Sequence, residues 1–220
     1  VNDGAPHDSR DVSPAGITAV ILVGGRSRRM RGDKALLVVD GRTLTERVLE
    51  SLRPFASTSL LAGRALPGID VPAIADQYGD AGPLGGIASA LAAVRTPVAL
   101  VAACDMPSIA PPLVELLLAG AAAHPDAAAV MCRGDRGLEP LLSVWRPHLA
   151  LPTLQAALTS GERAIHLAVR QLASAVILPP SQWQHADPTA RSFVNWNAPE
   201  DLPAPGRTPR PEAHNSRPWP

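Results

Sequence analysis

Residues 22–34 read LVGGRSRRMRGDK and directly follow a short, β-branched apolar run at residues 17–21. Such a run is expected to be a buried strand. The chain then turns on Gly24 and Gly25, carries Arg26, Arg28, Arg29 and Arg31, and reaches Asp33 and Lys34. Glycines without Cβ let a ligand approach the backbone, and successive N–H groups in such a turn suit phosphate oxygens. Arginine matches phosphate with two prongs and lysine adds a point charge. The stretch therefore reads as a polyphosphate site; the alternative is a strand followed by a basic, solvated loop. It is not a Walker loop, because Asp33 separates Gly32 from Lys34, and no G-x-G-x-x-G dinucleotide pattern is present.

The 220 residues suffice for one α/β domain with a full core. Lys+Arg and Asp+Glu are both 20, so no global basic field argues for nucleic acid, and the positive charge near residue 30 is local. No apolar run is long enough to span a bilayer, and the start lacks the layout of a secretion signal. Cys104 and Cys132 are the only cysteines, without a CxxC pair, so a reducing cytoplasm is expected. Aromatic residues make up only 3 %, which leaves the core to Leu, Val, Ile and Ala. The six histidines lack zinc-ligand spacing. Residues 1–15 read as a loose leader, 16–202 as the folded domain, and 203–220 as a proline-rich disordered tail.

Along the chain, Asp40-Gly41 marks a turn, and Thr43 with Glu46 forms a capping box for a helix that Pro54 ends. Strands are expected at 58–62 and 71–75. The segment 76–87, DQYGDAGPLGGI, is a glycine-rich approach to a helix at 87–94, a place for an anion or a flat ring, or else an ordinary surface loop. Residues 97–103, PVALVAA, are the best central strand, ending in Cys104-Asp105-Met106-Pro107. A carboxylate at the carboxyl end of such a strand faces the ligand crevice of open α/β sheets. Beside a triphosphate, Asp105 would hold Mg2+; the alternative is a cap on the helix beginning near Pro111, across a gap that is long for a cap. Cys104 reads as a small core residue. Further on, a helix is expected at 111–123, a strand at 127–131, a turn at 132–140, a return strand at 141–145, helices at 148–158 and 162–172, a strand at 175–178, and a short half-apolar piece at 192–197 before a last helical turn from Pro199.

This alternation gives a three-layer α/β sandwich around a mostly parallel sheet. The three suspect loops follow the first, third and fourth expected strands, so all open at one edge of the sheet. That convergence supports a nucleotide site with phosphates at the first loop, base at the second and metal at the third.

Together these segments resemble the molybdenum cofactor guanylyltransferase family, within the Rossmann-like fold of small sugar-1-phosphate nucleotidylyltransferases. The first loop resembles the family's LAGGxSxRMGxDK. Asp76 with AGPLGG resembles its D…PGPLAG, CDMP its metal strand end, and FVNWNAPED its closing FxNxNTPE. The similarity runs from about residue 17 to 202. It implies GTP and molybdenum-loaded molybdopterin as substrates, pyrophosphate as co-product, Mg2+ as cofactor, and neither nucleic acid nor membrane as partner. Molybdenum-insertion proteins and client molybdoenzymes are further partners it implies. By the match, Leu22, Val23 and Gly24 line guanine and ribose, Gly25 meets the phosphates, and Arg29 and Lys34 hold phosphates. Asp76, Gly82 and Leu84 bind the nucleotide, Asp105 holds Mg2+, and Asn195 and Asn197 face the pterin. Lys34, Arg29 and Asp105 would carry catalysis.

Several positions depart from the family pattern: Val23 for Ala, Arg31 for Gly, Ala198 for Thr, and no asparagine at the end of the second strand, where Leu61 or its neighbours stand. The competing expectations are a cytidylyltransferase on the same pterin, a transferase with another phosphorylated acceptor such as a sugar phosphate or phospholactate, and a catalytically silent nucleotide-binding partner of a molybdoenzyme. Gly24-Gly25 and GPLGG favour guanine over cytosine.

Overall fold

The computed structural model describes residues 12–24, 33–79 and 81–196. The first strand, β1 (Ile17–Leu22), is buried along its whole length, as its β-branched sequence requires. A small antiparallel pair, β2 (Val38–Val39) and β3 (Arg42–Thr43), turns at Asp40-Gly41 and leads into α1 (Leu44–Leu52). The expected capping box is present: Glu46 N donates to Thr43 Oγ1 at 3.1 Å, and Thr43 N donates to Glu46 Oε2 at 2.6 Å. Then follow β4 (Thr58–Gly63), β5 (Ala73–Ala75), α2 (Gly82–Ala93), β6 (Val98–Ala103) and α3 (Pro111–Ala123). The remainder is β7 (Ala129–Gly134), β8 (Gly137–Trp145), α4 (Pro147–Thr159), α5 (Ile165–Arg170), β9 (Ala175–Leu178) and α6 (Pro180–Trp183).

Seven strands make one sheet in the order β5-β4-β1-β6-β8-β7-β9. Only β8 runs against its neighbours β6 and β7; the other pairings are parallel. Alternation along the strands sends side chains to opposite faces. Ile17, Ala19 and Ile21 of β1 and Val98, Leu100 and Ala102 of β6 pack beneath α1 and α3. Val20, Leu22, Ala99 and Val101 pack beneath α2, α4 and α5. The result is the three-layer sandwich that the alternation of elements implies. Among the described residues no helix is long and apolar enough to cross a membrane.

The structure moves several expected boundaries. The segment 132–140 is not one long turn: β7 and β8 continue into it until only Asp135 and Arg136 remain at the tip, between the paired Gly134 and Gly137. The signals that suggested a turn, Gly134, Gly137 and Pro140, are absorbed differently. The register shifts between Met131 and Cys132, from Met131–Ser143 to Cys132–Glu139, which puts Pro140 in an irregular stretch where its missing N–H costs no ladder bond. Helix α2 begins five residues before the expected 87, because Pro83 fits the first turn and Gly82, at φ +60, lets the chain enter it. Strand β5 is shorter than 71–75, and α5 is shorter than 162–172, since the Glu162 side chain accepts from the N–H groups of Arg163 and Ala164 at 2.7 Å. Helix α6 was not expected, and the piece at 192–197 contains the 3-10 turn Arg191–Phe193. Pro14–Gly16 form a 3-10 turn whose Pro14 carbonyl accepts from Ser57 N at 2.9 Å. The last helical turn expected from Pro199 lies outside the described residues.

Candidate active site

The ends of β1, β4, β5 and β6 meet at one rim. Past the last residue of β1, Val23 N donates to Ala62 O of β4 at 2.8 Å, while Cys104 N donates to Leu22 O at 3.1 Å. Gly63 closes β4 at φ +129 and pairs with Ala75, the residue before Asp76. A Cβ on Gly63 would stand 3.1 Å from Gly24 N and from Val23 C and O. On the other side of β1, Gly86 of α2 would place a Cβ 3.6 Å from Leu22 Cδ2. The first two suspect loops are thus contiguous, and the third adjoins them through Cys104.

Lys34 enters the rim from the far end of the first loop. Asp33 caps a 3-10 turn, Lys34–Leu36, by accepting from Ala35 N at 3.2 Å. Asp33 in turn pairs with Arg64, the residue after Gly63. Thus held, Lys34 sends Nζ to 3.4 Å from Asp105 Oδ2, with side chains 19 % and 17 % exposed. Burial pushes the Asp105 carboxyl above its usual range, and the Lys34 ammonium pulls it back. The neighbouring Cys104 thiol is pushed up to about 12, first by burial and then by Asp105, so it is inert, as a small core residue should be.

The C-terminal strap crosses the same rim. Asp187, 2 % exposed, accepts from Ser192 N at 2.8 Å and Arg191 N at 3.3 Å. Ser192 Oγ accepts from Ala110 N at 2.8 Å, which ties the strap to the start of α3. Phe193 meets the Trp183 ring edge-on at 5.1 Å, and Trp183 Nε1 donates to Arg133 O at 3.0 Å. Trp196 N donates to Asp105 O at 2.8 Å, and its ring packs with Val39 and Leu44. Asn195, one residue before, is thereby carried to the end of β6.

The residues expected at the site are placed differently by the structure. Lys34, Asp105, Gly24 and Asn195 converge on the rim. Leu22, Val23 and Leu84 are 7 %, 4 % and 0 % exposed as whole residues and pack into the core. Asp76 begins the second loop, its Oδ1 accepting from Tyr78 N at 2.9 Å and from the buried Ser89 hydroxyl at 3.2 Å. Gly82 and Leu84 stand in the first turn of α2, where N–H groups lack intrahelical partners. Gly25, Arg29 and Asn197, with Arg26, Arg28 and Arg31, lie outside the described residues. Sequence reasoning missed Gly63 and Arg64, which occupy the strand end where the family asparagine is absent. A glycine closing an apolar strand was the available signal.

Gly63 also yields a test. At φ +129 an alanine is strained and presses on the Val23–Gly24 peptide. Gly63→Ala is expected to cost about 1–3 kcal/mol of stability and to raise KM for the nucleotide more than it lowers kcat. Thermal unfolding and steady-state kinetics check both, and unchanged values would dissociate Gly63 from the first loop.

Residues 19–175 match the family described as MobA-like NTP transferase domain. A relative from Chloroflexus aggregans named "Probable molybdenum cofactor guanylyltransferase" is 40 % identical over 84 % of this chain and 91 % of its own. Another from a Shewanella species, named "Molybdenum cofactor guanylyltransferase", is 33 % identical over 84 % of this chain and 92 % of its own. The crystal structure of molybdopterin-guanine dinucleotide biosynthesis protein A from Archaeoglobus fulgidus superposes with a TM-score of 0.70 at 30 % identity, covering 84 % of this chain and 94 % of that one. With the rim geometry, the matched segment and these identities in agreement, the chain belongs to the MobA-like NTP transferase family and is a nucleotidyltransferase.

Proposed function

We propose that this protein transfers GMP from GTP to the terminal phosphate of molybdenum-loaded molybdopterin. An acceptor phosphate oxygen forms a bond to the α-phosphorus of GTP. The bond from that phosphorus to the α,β-bridging oxygen breaks, and its electron pair leaves with pyrophosphate. The observation that carries the reading is the Lys34–Asp105 pair at 3.4 Å, set where the three loops meet and beneath the strap that bears Asn195. The names of the relatives support guanine and the molybdenum cofactor, and that of the solved structure names molybdopterin.

The acceptor phosphate is already anionic near neutral pH, so the reaction needs no strong general base. It needs relief of repulsion between two anions and of the charge that grows on pyrophosphate. Lys34 supplies a fixed positive charge at that point. The N–H groups of the first turn of α2 and of Gly24 offer donors to the nucleotide without reorganising. Asp76 is held by Tyr78 and Ser89 through one oxygen, and among the described residues nothing bonds the other, which leaves it to the ribose.

The donor set fits Mg2+. Among the described residues no three carboxylate, histidine or thiol groups gather, and Asp105 is a part-exposed oxygen donor. An ion that takes one or two carboxylates and completes its shell with phosphates and water is suited by such a site, whereas an all-protein cage would require more ligands. Asp105 would hold it. When bound, Mg2+ neutralises phosphate charge.

Pyrophosphate release from GTP and from CTP, each with molybdopterin and Mg2+, is the test. Turnover with GTP is expected to exceed that with CTP by at least about tenfold, the discrimination a hydrogen-bonded base readily provides. A clear CTP preference overturns the choice of base. Binding of Mg-GTP without release, given a competent acceptor, overturns the enzymatic reading.

A further inference from the structure

We propose that Glu139 determines acceptor specificity: its carboxylate, on β8 beside the metal-strand end, receives the two parallel N–H donors of the 2-amino-4-oxo edge of the pterin. The assignment rests on the acceptor proposed above and adds to it the residue that reads the ring.

Strand β8 lies next to β6, with Leu142 opposite Ala102. Asp105 lies two residues past the end of β6 and Glu139 three residues before Leu142 on the antiparallel β8, so both lie toward the same edge of the sheet. The nucleotide loops follow β1 and β5, on the other side of β6 from β8. A nucleotide seated there leaves the end of β8 to the second substrate.

The carboxyl is held against the hairpin. Glu139 pairs with Cys132, and a Cβ on Gly134 would fall 2.6 Å from Oε1, so the glycine makes the space the carboxyl occupies. Among the described residues no hydrogen bond or ion pair reaches this carboxyl. Burial raises it to about 7, Arg136 at the hairpin tip pulling it down and Asp135 pushing it up. The Cys132 thiol is pushed up to about 12 by burial, then by Glu139 and Asp187. Glu139 stands opposite Cys132 in the hairpin, and both it and Asp187, the anchor of the strap, act on that thiol.

A half-buried carboxyl at a substrate edge, with no hydrogen-bond or ion-pair partner among the described residues, is costly unless a ligand supplies donors. A general-base role is not called for, since the attacking phosphate is already ionised. A carboxylate beside that phosphate would repel it, which sets Glu139 at the ring end of the acceptor. A carboxylate accepts two parallel N–H bonds in a fork, and the pterin edge offers that pair. Guanine offers the same pair, but its loop lies across β6.

The test compares the wild-type protein with Glu139→Gln and Glu139→Asp, using GTP, Mg2+ and molybdopterin. Gln keeps the shape but replaces one acceptor with a donor. In E139Q, KM for molybdopterin is expected to rise about ten- to a hundredfold, with KM for GTP within about twofold. The GTP-to-ITP preference, which senses the guanine amino group, should be unchanged. Because the donors bind the ionised carboxyl, acceptor KM in the wild type should fall as pH rises through about 7. In E139Q only the shared titration of the acceptor phosphate should remain. Acceptor KM in E139Q within about twofold of wild type overturns the assignment, as does loss of the GTP-to-ITP preference. Should E139Q not fold, E139D gives the same reading, because its carboxylate is withdrawn by one methylene. Absence of wild-type transfer to molybdopterin overturns the proposed function and this assignment together; wild-type transfer with an insensitive E139Q overturns this assignment alone.

Discussion

Lys34→Ala is expected to lower kcat by about 10² to 10³-fold, the scale of losing one preorganised donor at a point of developing charge. The side chain stands on a short 3-10 turn capped by Asp33, which Arg64 holds in turn, so the ammonium is placed before substrate arrives. Its contribution grows as charge moves onto the leaving pyrophosphate, so kcat should fall more than KM for GTP rises. Lys34→Arg should recover only part of the loss, because a planar fork does not occupy the place of a compact ammonium. Removing the ammonium also leaves the Asp105 carboxyl, already raised by burial, without the charge that pulls it back. Circular dichroism and steady-state kinetics on the two variants check this. Activity of Lys34→Ala within about tenfold of wild type, with secondary structure intact, would remove Lys34 from the chemistry.

What was legible in the sequence was local. The capping box of Thr43 and Glu46, the Pro-started helix 111–123 and the strand 175–178 are set by neighbours a few residues apart, and they stand where the pattern put them. The convergence of the loops after β1, β5 and β6 followed from alternation alone, since parallel strands open their carboxyl ends on one side. What the sequence hid depends on register between distant segments. Gly63 matters because it abuts Gly24, and Arg64 because it reaches Asp33, contacts that no local pattern encodes. The 132–140 segment carried strong turn residues, but pairing between β7 and β8 stretched it into a hairpin and set Glu139 opposite Cys132. The buried Leu22 and Leu84 side chains show the reverse limit. The motif located the segments, while only packing reveals that these two leucines are core residues.

Asp105→Ala should lower kcat by about 10² to 10³-fold and raise the Mg2+ concentration needed for half-maximal rate. The substitution isolates the side chain cleanly. The strap is held by the Asp105 backbone carbonyl, which accepts from Trp196 N at 2.8 Å and is retained in any variant. Ser192 and Asp187 fix the strap at its other end. Asn195 should therefore remain in place, and lost activity is then not attributable to a displaced strap. Stability is expected to change little. The carboxyl is disfavoured by burial and gains from Lys34 at 3.4 Å, two opposed effects on part-exposed groups, and such pairs contribute about 1 kcal/mol or less. Asp105→Asn separates charge from shape: it keeps an oxygen donor but loses the charge, so it should stay close to Ala if electrostatic attraction for the cation dominates and recover if one oxygen ligand suffices. A Mg2+ titration of all three proteins decides between them. Unchanged half-saturation in Asp105→Ala together with near-normal kcat would take the metal away from this strand end and, with it, the reason for Lys34 to stand where it does.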